Sequence, residues 1–534
     1  MTAAKGGAGF LTERLARFLP LLALLMAILM LSTHIRLRVM LGDEGVACVN
    51  AWRLAMGQVP GRDFFEIIPP FSFYVLSLMF RVMGPTIVAS RILAFAYGCL
   101  IPSLLLLLGR RLFDSPLARA LPAALMIPFG VCSWPIPSHH WLADLLQIAA
   151  LLAWLKALDA RPALWSALAG VLSALSVMTL QDQGLYWIAA VSLLALPAAP
   201  REARRPLAIG WLSGIGAVLA VTALVLLPSA SLVSLFQDWF LLPLTHYGRS
   251  QGRFADNAGG WLDVLQNLRG GALAQSPVLT SMALLTYALV FALPITAALS
   301  AALLWRERLR RPVLAVLAAG CLAFLGGALH RWAIMNLIWA AAVPSLLVAA
   351  LADLWLKSAS AWKRRCAIAL TCPALCLFLL FGALRSYQVT RGPLFQVESP
   401  AGNLTTTSVA EARSLQGFLD AIESQVPPRA PAFIHGFVPL VGFLSGHPDP
   451  TRFTVLLTAT GYNSRDQGLE WMRELDSANI QWGFGPRWTP VAGDPADMYL
   501  AEKFEPAWEN GSFVLWRRRQ SLREPSKGDG KSHG

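Results

Sequence analysis

The chain has 534 residues, of which 56% are hydrophobic and 14% charged, with a formal net charge of +13 and a mean hydropathy of +0.54. That balance excludes an ordinary soluble enzyme and is the composition of a polytopic membrane protein. The positive charge is no nucleic-acid footprint, because Lys and Arg fall in short clusters between apolar runs, as in cytoplasmic loops. The 7 cysteines lie in or near the apolar part of the chain and none follows Cys376, so no disulfide framework is expected.

The short basic N-terminus leads into an apolar run at Phe18–Thr33 with no small-residue cleavage site after it. It reads as an uncleaved first span with its N-terminus inside. The loop Leu41–Pro70 follows at once and carries Asp43, Glu44, Asp63 and Glu66 before Pro69-Pro70 close it. Carboxylates beside hydrocarbon are costly, and where they collect they bind an ion, a proton or a substrate; the bland alternative is a solvated loop. Phe71–Met83 is apolar but too short to cross and ends at Gly84-Pro85, which reads as a helix lying at the membrane surface. Crossing segments then follow at Val88–Leu108, Leu117–Trp134, Trp141–Leu158, Ala163–Leu180, Leu185–Ala199, Leu207–Leu227, Val278–Trp305, Val313–Leu329, Ile334–Leu356 and Cys366–Leu384. With the first span the expected fold is an all-α polytopic membrane protein of about eleven transmembrane helices, each near the ~20 residues needed to cross.

Alternation from an inside N-terminus puts the clusters Arg110-Arg111 with Arg119, Lys156 with Arg161, Arg201 with Arg204-Arg205, Arg306–Arg311 and Lys357 with Lys363–Arg365 in the cytoplasm, as the positive-inside rule requires. The same register sends the unusual polar residues outward together. They are Ser138-His139-His140, Gln181-Asp182-Gln183-Gly184, Asp238, His246, Arg249, Arg253 and Asp256 in the long loop 228–277, and His330-Arg331. A lone His or Asp at a helix end is commonly a cap or a satisfied polar group. Several such sets on the side of Asp43 and Glu44 point instead to one active face. No HExxH, paired CxxC or Gly-rich phosphate loop is present in the sequence.

Beyond residue 384 the apolar runs shorten. A helix at Ser408–Gln425 and strands at Ala432–His435 and Phe513–Arg517 predict a small C-terminal extracytoplasmic α/β domain. It is expected to shape the acceptor side without supplying catalytic groups. The domains are thus 1–384 in the membrane, 385–519 outside it, and a disordered tail, 520–534.

The acidic pair after the first span, GQVPGRDFFEIIPP, SHHW, QDQG and the late FLSGHPDPTRF together resemble the membrane glycosyltransferases of the GT-C fold. The type is that of glycosyltransferase family 39: the bacterial relatives of protein O-mannosyltransferases and of the aminoarabinose transferase that modifies lipid A. The resemblance implies a polyprenyl-phosphate sugar as donor, a lipid, glycan or protein as acceptor, and no nucleotide cofactor. It implies an inner-membrane location with the reaction on the outer face. Asp43 matches the family's base or metal-contacting aspartate, and Glu66 its acidic residue before the prolines, so a divalent metal at Asp43 and Glu66 belongs to the expectation. One departure is Ile67-Ile68, where relatives often carry a basic residue; the donor phosphate then falls to Arg331 or to Arg249 and Arg253.

The chemistry required by the reaction fits this layout. Sugar transfer from a lipid phosphate needs a carboxylate to take the acceptor proton, and positive charge or a metal for the departing phosphate. An inverting single displacement needs no second carboxylate as acid, unlike glycoside hydrolysis. The expected site is therefore Asp43 and Glu44 as catalytic groups, with Asp63, Glu66, His139, His140, Asp182, His246, Arg249, Arg253, His330 and Arg331 binding substrate. A transporter or flippase of a lipid-linked saccharide and a non-catalytic assembly subunit are the alternatives.

Overall fold

The computed structural model describes residues 7–37, 39–226, 231–247, 277–306, 311–329, 334–458, 462–487 and 489–519. Helices α1 (Gly7–His34), α2 (Asp43–Ala55), α3 (Phe71–Met83), α4 (Ile87–Leu112), α5 (Pro116–Phe129), α6 (His139–Asp159), α7 (Pro162–Val177) and α8 (Gln181–Ala190) open the chain. Helices at Arg201–Leu226, Pro277–Arg306, Arg311–Leu329, Ile334–Trp339, Ala342–Leu356 and Ala361–Arg391 follow. The apolar segments of the sequence are helical over most of their described residues, the form that satisfies backbone polar groups internally where water is absent. Among the described residues 6 helices are long and apolar enough to cross a membrane: residues 17–34, 87–112, 116–133, 139–159, 201–226 and 361–391. The chain is an integral membrane protein on this count, while Pro162–Val177 and Ala342–Leu356 are among the shorter apolar helices.

Local sequence sets these helices. Thr86 caps α4 by accepting from the Ala89 N–H, and Ser138 caps α6 by accepting from His140. Between α7 and the Arg201–Leu226 helix the approach is so close that a Cβ on Gly210 or Gly214 would stand 2.2 Å from the Ala163 carbonyl oxygen or 2.1 Å from that of Ala167. Small residues at such a crossing let helix backbones pack directly, the usual solution where lipid removes the hydrophobic drive for association.

After the last long helix, β1 (Phe395–Val397) pairs antiparallel with β2 (Leu404–Thr406). A mixed sheet follows in the order β3 (Ala432–Ile434), β4 (Trp482–Pro486), β6 (Phe513–Arg518), β5 (Phe504–Glu509), with β3 and β4 parallel and the other pairs antiparallel. Helices Val409–Gln425, Arg465–Ser477 and Pro495–Lys503 accompany it, and Phe433, Trp471 and Trp516 fill the core between them. Of the long loop 228–277, residues 232–247 form helical turns and most of the remainder lies outside the described residues, as does the tail 520–534.

These C-terminal residues are tied closely to the start of the chain. Leu37 bridges Thr405, the Ile87 N–H donates to the Ala401 carbonyl, and the Leu440 N–H donates to the Leu41 carbonyl. A Cβ on Gly45 would stand 2.2 Å from the Leu440 nitrogen, so glycine in α2 is what lets the two segments touch.

Candidate active site

The acidic loop does not present its carboxylates as one cluster. Asp43 lies in the first turn of α2, half-buried, directly after the first span. Glu44, its neighbour, turns inward and is fully buried. Its Oε2 accepts from Arg91 Nη2 at 2.6 Å and its Oε1 from the Ser90 hydroxyl at 3.0 Å. Arg91 Nη1 also donates to the carbonyls of Ile35, Leu37 and Pro135. Burial holds the Glu44 carboxyl above its ordinary value against the pull of Arg91 and Ser90. Glu44, expected to be catalytic, thus joins α2, α4, the end of the first span and the turn before α6.

Asp63 closes a local turn. It accepts from the Val59 N–H at 2.8 Å and pairs with Arg62 at 2.6 Å, on the exposed side of the loop.

Glu66 is buried and meets neutral donors only. Oε2 accepts from Asn50 Nδ2 at 2.7 Å, and Oε1 accepts from the Ile67 N–H at 2.9 Å, the Ile68 N–H at 3.4 Å and the Tyr462 hydroxyl at 3.3 Å. Asn50 Oδ1 in turn accepts from the Thr454 hydroxyl at 2.6 Å. Burial pushes the Glu66 carboxyl up to about 7, outweighing these hydrogen bonds to its charged form. Three of these donors meet Oε1 and one meets Oε2, and among the described residues no group of three or more His, Cys, Asp or Glu could hold a metal ion. No step below runs through a metal at Asp43 and Glu66.

Tyr462 and Thr454 belong to a C-terminal strap, residues 449–463 apart from the undescribed 459–461, laid along the acidic loop. The Phe65 N–H donates to the Arg452 carbonyl, and the buried Arg53 donates to the carbonyls of Asp449 and Thr451 at 3.2 and 2.8 Å. The C-terminal part, expected to shape the acceptor side without supplying catalytic groups, brings the Tyr462 hydroxyl to Glu66 and the Thr454 hydroxyl to Asn50.

The other expected residues divide. His139 and His140 stand at the N-terminus of α6, where the His140 ring stacks on Trp339 with centroids 3.5 Å apart. Their turn is joined to Glu44 through Arg91, which donates to the Pro135 carbonyl. Asp182 accepts from the Gln183 N–H at 2.7 Å, while its neighbour Gln181 reaches the acidic loop, donating to the carbonyls of Ile67 and Trp239 at 3.0 Å each. Arg249, Arg253, His330, Arg331 and the side chain of His246 lie outside the described residues.

Arg91, Asn50, Thr454 and Tyr462 were not among the expected residues, and Gln181 only as part of the QDQG turn. An arginine at the head of an otherwise apolar span was a legible signal for Arg91; nothing local marks Tyr462 or Thr454. Beside Pro70 an apolar groove of about 390 Å³ opens between α3, α7 and the Arg201–Leu226 helix, lined by Phe71, Tyr74, Leu175, Val221 and Val225 among others.

Among solved structures the chain is similar to the crystal structure of ArnT from Cupriavidus metallidurans bound to undecaprenyl phosphate, with a TM-score of 0.57 and 14% identity over 97% of this chain and 100% of that one. The fold is GT-C. No protein-family model and no curated protein matches the sequence. Within the GT-C frame, α2 and the Pro69-Pro70 loop are the polar structures that directly follow the first span, and the strap is the part of the C-terminal region that covers them.

Proposed function

We propose that this chain is a membrane glycosyltransferase that moves a sugar from a polyprenyl-phosphate donor to a lipid, glycan or protein acceptor. The observation that carries the reading is the fold it shares, over 97% of its length, with a protein crystallised with undecaprenyl phosphate. The apolar groove beside Pro70 supports it, since a prenyl chain needs an apolar path that reaches the acidic loop. The charge pattern supports an eleven-span arrangement with the N-terminus in the cytoplasm and residues 385–519 on the outer face of the inner membrane.

In this reading Asp43 takes the proton of the acceptor hydroxyl. The acceptor oxygen bonds to the anomeric carbon as the bond from that carbon to the phosphate oxygen breaks, and the phosphate leaves with the electron pair. One displacement inverts the configuration. Because α2 begins at Asp43, the N-terminal end of that helix fixes the base at the mouth of the loop. Positive charge for the leaving phosphate falls to Arg331, or to Arg249 and Arg253.

A second reading, a transporter or flippase of a lipid-linked saccharide, draws on Asp144. This carboxylate is buried within α6, accepts from Gln183 Nε2 at 2.8 Å and has no partner on its other oxygen among the described residues; intramembrane carboxylates mark transport pathways. The two readings separate when cells with the native chain, with Asp43→Asn and without the protein are compared by mass spectrometry of glycolipids and glycoproteins. Transfer predicts a sugar modification that requires the native chain and falls at least ~10²-fold with Asp43→Asn. A modification that survives Asp43→Asn removes Asp43 as base. A lipid-linked saccharide that changes membrane side without any new modification favours the transporter.

A further inference from the structure

Gln181 stands where three parts of the chain meet. It begins α8, and its Nε2 donates to the Ile67 carbonyl of the acidic loop and to the Trp239 carbonyl of the outer segment 232–247, at 3.0 Å each. Carbonyls only accept, so this pair fixes which end of the amide faces them and uses both of its N–H donors. The amide oxygen is thereby turned away from them. It is buried, and among the described residues nothing donates to it. A joint between segments needs only the Nε2 donors; an acceptor buried without a donor is a cost that a joint leaves unexplained. The geometry points to Gln181 Oε1 as a fixed acceptor for a hydroxyl or amino group of the sugar on a lipid-linked donor, which makes Gln181 a sugar-binding residue.

The place of Gln181 narrows the ligand. Ile67 precedes Pro69-Pro70, and Pro70, Phe71 and Met178 line the apolar groove. The Phe71 N–H donates to the Met178 carbonyl, which ties the start of α3 to the end of α7 just before Gln181. Trp239, whose carbonyl is the other anchor of Gln181, packs with Met178, Val218 and Leu226, all of which also line the groove. The amide is thus held between the groove and the acidic loop by residues that belong to both.

Of the parts of a polyprenyl-phosphate sugar, only one can answer Oε1. The prenyl chain has no polar hydrogen, and it fits the apolar groove. The linking phosphate is an anion that offers acceptor oxygens alone. The sugar brings O–H or N–H donors. A site built to bond a ligand hydroxyl also rejects an analogue that lacks it, because its own buried group is then left unpaired. This inference rests on the reading of the ligand as a lipid-linked sugar, and it holds whether that sugar is transferred or carried across the membrane.

The test measures binding to the full-length protein in detergent. The probes are undecaprenyl phosphate and undecaprenyl phosphate carrying glucose, mannose or 4-amino-4-deoxyarabinose. The native chain should bind at least one sugar-bearing lipid more tightly than the bare lipid. Gln181→Lys keeps donors for the Ile67 and Trp239 carbonyls and removes the acceptor. The ratio of the two affinities should then fall roughly 3- to 10-fold, the worth of one neutral hydrogen bond. Any effect of the new charge on the phosphate is common to both lipids and cancels in that ratio. Should Gln181→Lys not fold, the neutral Gln181→Met gives the same reading. Equal affinity of the native chain for bare and sugar-bearing lipid, the result when water alone answers Oε1, overturns the inference without any variant. A variant that weakens both lipids by the same factor, as the loss of a mere joint would, overturns it too, as does one that weakens neither. In the sugar-modification comparison, a native chain without transfer that still prefers a sugar-bearing lipid through Gln181 would defeat the transferase reading and leave this inference standing.

Discussion

Two carboxylates of one loop are both buried and meet opposite fates. Glu44 is met by a guanidinium at 2.6 Å and a hydroxyl at 3.0 Å, and Arg91 in turn gathers three carbonyls. Glu66 is met by an amide, a phenol and two backbone N–H groups. Burial alone raises the proton affinity of each. A fixed cation beside the first makes it a joint between helices, whereas the second has neutral partners only. Burial of an acid therefore says little about its work until the partner is known.

The harshest way to break this comparison is to remove the strap. Deletion of Ser399–Gly534 takes away Thr454, Tyr462 and the carbonyls that hold Arg53. The acidic loop should then lose its fold, seen as proteolysis between residues 41 and 70 in membranes where the native chain is protected. An intact, protected loop would show that the strap merely rests on it.

Breaking the joint comes next. Glu44→Gln leaves Arg91 buried without its counter-charge, which costs about 3–5 kcal/mol when one partner of a buried pair is removed. Thermal unfolding in detergent should show a large loss, and Glu44→Gln with Arg91→Met should recover much of it. An unaltered melting temperature in the single variant would dissolve the contrast with Glu66.

The side with neutral partners is sharpened by pH. Because the carboxyl of Glu66 rises from 4.5 to about 7 on folding, the folded state favours the protonated form. Its contribution to stability is full below pH 4.5 and is lost as the pH climbs through about 7, a change of about 3 kcal/mol. Asp449, raised from 3.8 to about 6 by burial, acts in the same sense. Glu66→Gln, neutral at every pH, should flatten the fall of melting temperature between these limits; an identical slope in both proteins would remove Glu66 from the balance.

The smallest effect is expected at Asp63. Its pair with Arg62 is exposed, and exposed pairs contribute little. Asp63→Asn should leave both melting temperature and transfer unchanged. A strong loss of transfer would move the substrate toward that turn.

Much of the architecture was legible in the chain. Phe71–Met83 was read as a helix ending at Gly84-Pro85 and stands at those bounds, and the Val409–Gln425 helix begins at the Ser408 that caps it. The site was legible only as a place. Asp43, Glu44, Asp63 and Glu66 were found by their density beside a span, yet nothing in that stretch distinguishes the acid held by Arg91 from the acid held by Asn50 and Tyr462.

The sequence by itself determined the helices, the membrane setting and the loop that carries the acids. Hydropathy, caps and turn residues act over a few neighbouring positions, so a window of sequence contains their whole cause. Only the tertiary structure decided what each acid does. The partners that set a buried carboxyl's proton affinity must lie within hydrogen-bond reach in space, and here they lie 47 residues away for Glu44 and 396 for Glu66, at Arg91 and Tyr462.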